Sequence, residues 1–123
     1  MTVVLDTTVI VDVLRGEPGA VDFIQALEYL PSCSEVTRIE ITRGLRSAER
    51  EPAEGIFSAL LWVPVDEGIA RRAGTLGRRW RRSHPGISIA DLAVAATADW
   101  LGADLATANV KHFPMFADLR RPY

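Results

Sequence analysis

Thr2-Val3-Val4-Leu5-Asp6-Thr7-Thr8-Val9-Ile10-Val11-Asp12-Val13-Leu14 decides the fold of this chain. Residues 2–5 are β-branched and apolar with no polar alternation, the pattern of a strand covered on both faces, as in a parallel sheet. Asp6 ends that run. Thr7 or Thr8 then caps a helix in which Val9, Ile10, Val13 and Leu14 fall at helical spacing. A short strand buried on both sides that passes directly into a helix is the opening of an α/β unit.

The alternation continues outward from there. Gly16 stops the first helix and Pro18 starts another, followed by Val21, Ile24 and Leu27. Residues 32–36 read as a short second strand, and Thr37 opens a helix with Ile39, Ile41 and Leu45. Pro52 starts a helix running through Ile56, Leu60 and Leu61. Residues 63–65 are extended, because Pro64 forces the residue before it out of the α region. Over residues 66–82, Ile69, Ala73, Leu76 and Trp80 recur on one helical face, and the arginines fall mostly on the other. Trp80 therefore reads as core. Ser88 caps an alanine-rich helix to Leu101. Its stripe of Ile89, Leu92, Ala93, Ala96 and Trp100 is widened by Val94, Ala95 and Ala98, so the helix reads as mostly buried. Gly102 ends it, and residues 103–107 form a last strand. Strands alternating with helices predict an α/β chain around a central, mainly parallel sheet.

The length of 123 residues predicts a single domain over residues 1–123. With 48% hydrophobic and 24% charged residues, the composition is globular and not disordered. The lone cysteine, Cys33, excludes a disulfide framework and a thiolate zinc site. That fits a reducing cytoplasm, where the protein is expected to reside. No apolar run reaches the roughly 18 residues of a membrane helix. The first residues lack the basic flank and cleavage site of a signal peptide, so no membrane partner is expected.

Net charge is only −2, but its distribution is uneven. No acid occurs between Glu67 and Asp91, while Arg71, Arg72, Arg78, Arg79, Arg81 and Arg82 all do. Solvated faces normally mix signs. A one-sign arginine face therefore points to a polyanionic partner. Arginine forks suit phosphate, and an acidic protein segment could use the same surface. The sequence does not separate these two for Arg71, Arg72, Arg78, Arg79 and Arg82.

Four polar residues fall at element junctions. Asp6 closes the first strand, Glu40 lies just after the second, Asp91 opens the alanine-rich helix and Asn109 follows the last strand. In an open α/β sheet those junctions share one edge, where ligand sites form. Oxygen ligands gathered there suit a hard cation such as Mg²⁺, which can activate water and stabilise a phosphodiester transition state. A structural reading competes with this one. Thr37-Arg38-Ile39-Glu40 and Ser88-Ile89-Ala90-Asp91 both have capping-box spacing, and Asn109 is a common turn residue. Against it, an acid opening a buried helix is costly without a partner.

These residues carry a family resemblance. The opening Val3-Val4-Leu5-Asp6-Thr7-Thr8-Val9-Ile10, running on to Leu14-Arg15-Gly16, resembles the start of PIN-domain ribonucleases and, more closely, of VapC toxins of bacterial toxin–antitoxin pairs. Glu40, with Thr37 before it and Gly44-Leu45 after it, resembles their second acidic motif. Ile87-Ser88-Ile89-Ala90-Asp91 resembles the third, and Leu105-Ala106-Thr107-Ala108-Asn109 with Lys111-His112-Phe113 the last. The resemblance spans nearly the whole chain. It implies a three-layer α/β/α PIN-like domain and an endoribonuclease dependent on Mg²⁺, with Mn²⁺ as a substitute, acting on tRNA or rRNA. It also implies a VapB-type antitoxin as partner and a homodimer. Asp6, Glu40 and Asp91 would be catalytic, with Asp6 and Asp91 on the metal and Glu40 holding the ion or orienting the attacking water. Thr8, Thr107 and Asn109 would support them. Many family members carry a fourth acid where this chain has Asn109, which leaves a one-metal site and a catalytically weak, protein-binding PIN-like module as alternatives. His112 reads as a packing or capping residue of the tail. A haloacid-dehalogenase-type phosphotransferase would need an acid where Thr8 stands, and no G-x-G-x-x-G follows the first strand.

Overall fold

A computed structural model describes residues 2–123. Four strands form one parallel sheet: β1 (Val3–Leu5), β2 (Ser32–Ser34), β3 (Leu61–Val63) and β4 (Asp104–Ala106). Their spatial order is β3-β2-β1-β4. Val4 pairs with both Ser32 and Leu105, placing β1 at the centre. Six α-helices connect and cover the strands: α1 (Thr7–Leu14), α2 (Pro18–Gln25), α3 (Glu35–Gly44), α4 (Arg50–Ser58), α5 (Glu67–Trp80) and α6 (Ile89–Leu101). Single 3-10 turns lie at Ser47–Glu49 and Val110–His112.

Side-chain alternation along the strands builds two cores, one on each sheet face. Leu5 and Ala106 join Val9, Ile10, Cys33, Ile41, Ala53 and Phe57. Val4 and Leu105 join Val94, Ala95, Ala98 and Phe113 on the opposite side. The layers are thus α/β/α, with α6 and the tail on one face and α1, α3 and α4 contributing to the other. Burial of Cys33 pushes its thiol up to about 12. Among the described residues no helix is long and apolar enough to cross a membrane.

The structure moves several predicted boundaries. Helix α3 begins at Glu35, before Thr37, because the Ser34 hydroxyl accepts the Val36 N–H at 3.2 Å and acts as the cap. Helix α4 begins at Arg50, so Pro52 lies in the first turn, where its missing N–H costs nothing. Leu61 is in β3 and not in the preceding helix, since its N–H donates to the Pro31 carbonyl at 3.0 Å and the ladder captures it. Helix α6 buries Ala93 to Ala98 completely or nearly so, but Ile89 is 84% exposed and Trp100 is 51% exposed. The two ends of the predicted stripe are therefore not buried. Trp100 lies instead over Gly68 of α5, where a Cβ would stand 2.9 Å from its ring.

Candidate active site

The chain proceeds β1, β2, β3 in one direction and then returns to lay β4 on the other side of β1. That reversal puts the switch point of the sheet between β1 and β4, where open α/β folds form their ligand crevice at the strand C-termini. Asp6 follows β1 and Thr107 follows β4, and the two side chains meet there. The Thr107 hydroxyl donates to Asp6 Oδ2 at 2.8 Å, and the Thr8 hydroxyl donates to the same oxygen at 2.8 Å.

This arrangement also corrects the predicted cap. Asp6, not Thr7 or Thr8, occupies the N-cap position of α1, and its carboxylate makes no capping bond. Both threonine hydroxyls are used within the site. Thr8 Oγ1 also accepts the Ala108 N–H at 3.1 Å, and Thr107 Oγ1 accepts the Asn109 N–H at 2.9 Å. Two hydroxyls thus knit the ends of β1 and β4 together while holding one oxygen of a carboxylate that is only 3% exposed. Among the described residues no side-chain donor reaches the other oxygen. Burial pushes the Asp6 carboxyl above its ordinary 3.8, and the nearby charge of Asp91 adds to that, while the hydroxyls of Thr107 and Thr8 oppose it.

Asp91 enters from the first turn of α6. Its backbone N–H donates to Ser88 Oγ at 3.0 Å, and its own Oδ2 accepts the Ser88 N–H at 3.4 Å. The predicted capping box is therefore present, and it orients the acid. Asp91 Oδ2 also lies 3.1 Å from His112 Nδ1. A carboxylate only accepts, so the hydrogen on that nitrogen goes to Asp91. The Asn109 amide stands 2.9 Å from the same nitrogen. The atom that faces it is the amide nitrogen Nδ2, itself a donor, so His112 Nδ1 serves one of these two partners at a time. His112 thus links Asp91 to Asn109, a role that sequence reasoning missed. The signals were its place three residues after Asn109 and its position in the last of the family-like motifs.

Glu40 behaves differently. The predicted box with Thr37 does not form, because Thr37 lies inside α3 and is fully buried. Glu40 is exposed, and its Oε1 accepts the Thr7 hydroxyl at 2.6 Å. Thr37 Oγ1 stands 3.1 Å behind that hydroxyl. Thr7, adjacent to Asp6, ties the acid of α3 to the rim of the same crevice. Sequence reasoning weighed Thr7 only as a cap.

Two acids are therefore brought together and a third stands beside them. Among the described residues, no three Asp, Glu, His or Cys side chains form one metal-ligating group. Asp6, Asp91, Thr8, Thr107 and Asn109 present oxygen, and no Lys or Arg among the described residues forms an ion pair with Asp6 or Asp91. A buried carboxylate facing a second one with no cation beside it fits a hard divalent ion.

The arginines divide as well. Arg71 pairs with Glu67 of its own helix at 2.8 Å, and Arg72 pairs with Asp99 of α6. Arg78, Arg79, Arg81 and Arg82 are exposed and form no ion pair among the described residues. They cluster at the C-terminal end of α5. That end lies beside the start of α6, since a Cβ on Gly77 would stand 2.9 Å from Leu92, the neighbour of Asp91.

The family model described as PIN domain matches residues 3–118 of this chain. Ribonuclease VapC19 of Mycobacterium tuberculosis is 48% identical over 123 residues, covering 97% of this chain and 98% of that protein. Ribonuclease VapC10 of the same organism is 41% identical, covering 98% and 92%. Among solved structures, a toxin–antitoxin complex from Klebsiella pneumoniae contains a chain that superposes with a TM-score of 0.84 at 21% identity, covering 98% of each chain.

Proposed function

This chain belongs to the PIN-domain family, and from that premise we propose that it is a VapC-type toxin, an endoribonuclease that hydrolyses RNA at the β1/β4 edge. The observation that carries the reading is Asp6. It is a buried carboxylate held through one oxygen by Thr8 and Thr107, beside Asp91, at the switch point of a parallel sheet. Asp6 and Asp91 are the residues that would hold the divalent cation, with Mg²⁺ the expected ion and Mn²⁺ a substitute. When bound, that ion supplies charge neutralisation and a water of lowered pKa for phosphodiester hydrolysis.

The chain's own groups do the rest. Thr8 and Thr107 fix the Asp6 carboxylate through one oxygen. Ser88 and His112 fix Asp91. Thr7 holds one oxygen of Glu40, which leaves the other to orient the attacking water and accept its proton. Asn109 supports the site as a neutral acceptor, in keeping with one ion and not two. Arg78, Arg79 and Arg82, exposed at the end of α5 that neighbours the start of α6, suit backbone phosphates. Arg71 and Arg72, already paired with acids, are second in line. The partner implied is a VapB-type antitoxin, and the assembly a homodimer acting on tRNA or rRNA.

Cleavage of a total tRNA and rRNA pool by antitoxin-free protein, with Mg²⁺ and with EDTA, tests this directly. Discrete metal-dependent fragments, absent with Asp91→Asn, are the expected result. Folded protein that cleaves nothing with Mg²⁺ or Mn²⁺ would leave a PIN-like binding module in its place.

A further inference from the structure

Three polar side chains converge on one atom at the Asp91 side of the crevice. His112 Nδ1 lies 3.1 Å from Asp91 Oδ2 and 2.9 Å from Asn109 Nδ2. No hydrogen placement on the ring satisfies both neighbours. A hydrogen on Nδ1 serves the carboxylate but confronts the Asn109 N–H. A hydrogen on Nε2 lets Nδ1 accept from Asn109 but turns its lone pair against a carboxylate oxygen. A protonated ring keeps the first conflict.

The cluster is nonetheless held in place. The His112 N–H donates to the Asn109 carbonyl at 3.0 Å, which closes the turn that carries the ring. The next residue, Phe113, is 1% exposed and packs with Val4, Val94 and Leu105. Asp91 is fixed by its capping box with Ser88. The imidazole itself is 43% exposed, so an ion from solvent can reach it. A divalent ion bound by Nδ1 and Oδ2 together removes the conflict, because both lone pairs then point at positive charge. The spacing agrees, since neighbouring donors around an octahedral ion at roughly 2.0–2.1 Å stand about 3 Å apart. No Lys or Arg among the described residues forms an ion pair with Asp91 that would compete.

We propose that His112 Nδ1 is a metal ligand alongside Asp91, so that the site favours a first-row transition ion such as Mn²⁺ over Mg²⁺. The inference rests on the metal-site reading above, adds a ligand to it and reverses the expected order of the two ions. Imidazole nitrogen suits transition ions, whereas Mg²⁺ prefers oxygen donors alone. In the bound form the ring hydrogen is on Nε2, and the ion takes the lone pair that Asn109 otherwise holds. Two protein donors suffice, because such ions keep several waters.

The test is pulsed electron paramagnetic resonance of the full, antitoxin-free chain loaded with Mn²⁺. A coordinated imidazole imposes a ¹⁴N modulation on the electron spin echo. That modulation is expected in the native protein, to change on ¹⁵N-histidine labelling, to persist in His84→Gln and to vanish in His112→Gln. Should His112→Gln not fold, labelling and His84→Gln assign the signal by elimination, since the chain has two histidines. In calorimetric titration, His112→Gln is expected to lower Mn²⁺ affinity about tenfold more than Mg²⁺ affinity. Bound Mn²⁺ without a ¹⁴N modulation, or equal losses for the two ions, would overturn the ligand and leave His112 as a positioning residue for Asp91. A modulation lost in His84→Gln would overturn it as well. Folded protein that binds neither ion would instead remove the metal-site reading on which it rests.

Discussion

Replacing Asp6 with asparagine should make the metal-free protein more stable and the metal-loaded protein less so. Asp6 is 3% exposed, its side-chain donors are two neutral hydroxyls on one oxygen, the Thr7 backbone adds a further neutral hydrogen bond, and the nearby charge of Asp91 opposes its ionisation. Desolvating such a carboxylate costs several kcal/mol before its hydrogen bonds recover part of it. Asparagine keeps an acceptor for Thr8 and Thr107 and carries no charge, so a gain of about 1–2 kcal/mol is expected in chelator. For a chain of this length that raises Tm by about 3–8 °C. With Mg²⁺ at a hundred times its Kd the native protein gains about 2.7 kcal/mol, and the variant gains little. The order of the two melting temperatures should therefore reverse between EDTA and Mg²⁺, which differential scanning calorimetry reads directly. A variant less stable than the native protein in EDTA, with Mg²⁺ moving both equally, would refute the reasoning. Asp6 would then be a structural knot between β1 and β4 and not a ligand.

The same carboxyl predicts a pH dependence. Its folded-state pKa lies above 3.8, so the metal-free fold holds that proton more tightly than the unfolded chain. The stability it contributes is complete below 3.8 and is lost as pH rises through the folded value, a component that calorimetry at stepped pH should find missing in Asp6→Asn. Thr7→Val removes the hydroxyl that holds Glu40 at 2.6 Å. Because that hydroxyl also meets the buried Thr37 Oγ1 at 3.1 Å, stability should fall by about 1 kcal/mol, while kcat for RNA falls about tenfold and falls no further in a Glu40→Gln background. Asn109→Asp adds an acid beside His112 and Asp91. Calorimetric titration should show Mg²⁺ binding tightened by about tenfold, with the metal-free protein less stable. Gly74→Ala fills open space in the middle of α5 and should add about 0.5–1 kcal/mol in urea unfolding, whereas Gly77→Ala gains nothing because its Cβ would meet Leu92 at 2.9 Å.

Sequence alone determined the order and type of the elements, because the signals are local. An unalternated apolar run fixes β1, glycine and proline punctuate α1 and α2, and Gly102 in the left-handed region ends α6. The same locality made Asp6, Glu40, Asp91 and Asn109 legible as residues at junctions, and the family resemblance gave them one purpose. Where several local readings competed, the sequence could not choose. Thr7, Thr8 and Thr37 all look like caps, and Ser88 with Asp91 looks like nothing more than one. Only the tertiary structure decided these, because the partners are distant in the chain. Thr107 reaches Asp6 across 101 positions, Thr7 reaches Glu40 across 33, and His112 reaches Asp91 across 21. Laying β4 against β1, and not against β3, is what creates the crevice and gives the threonine hydroxyls something better to do than cap a helix.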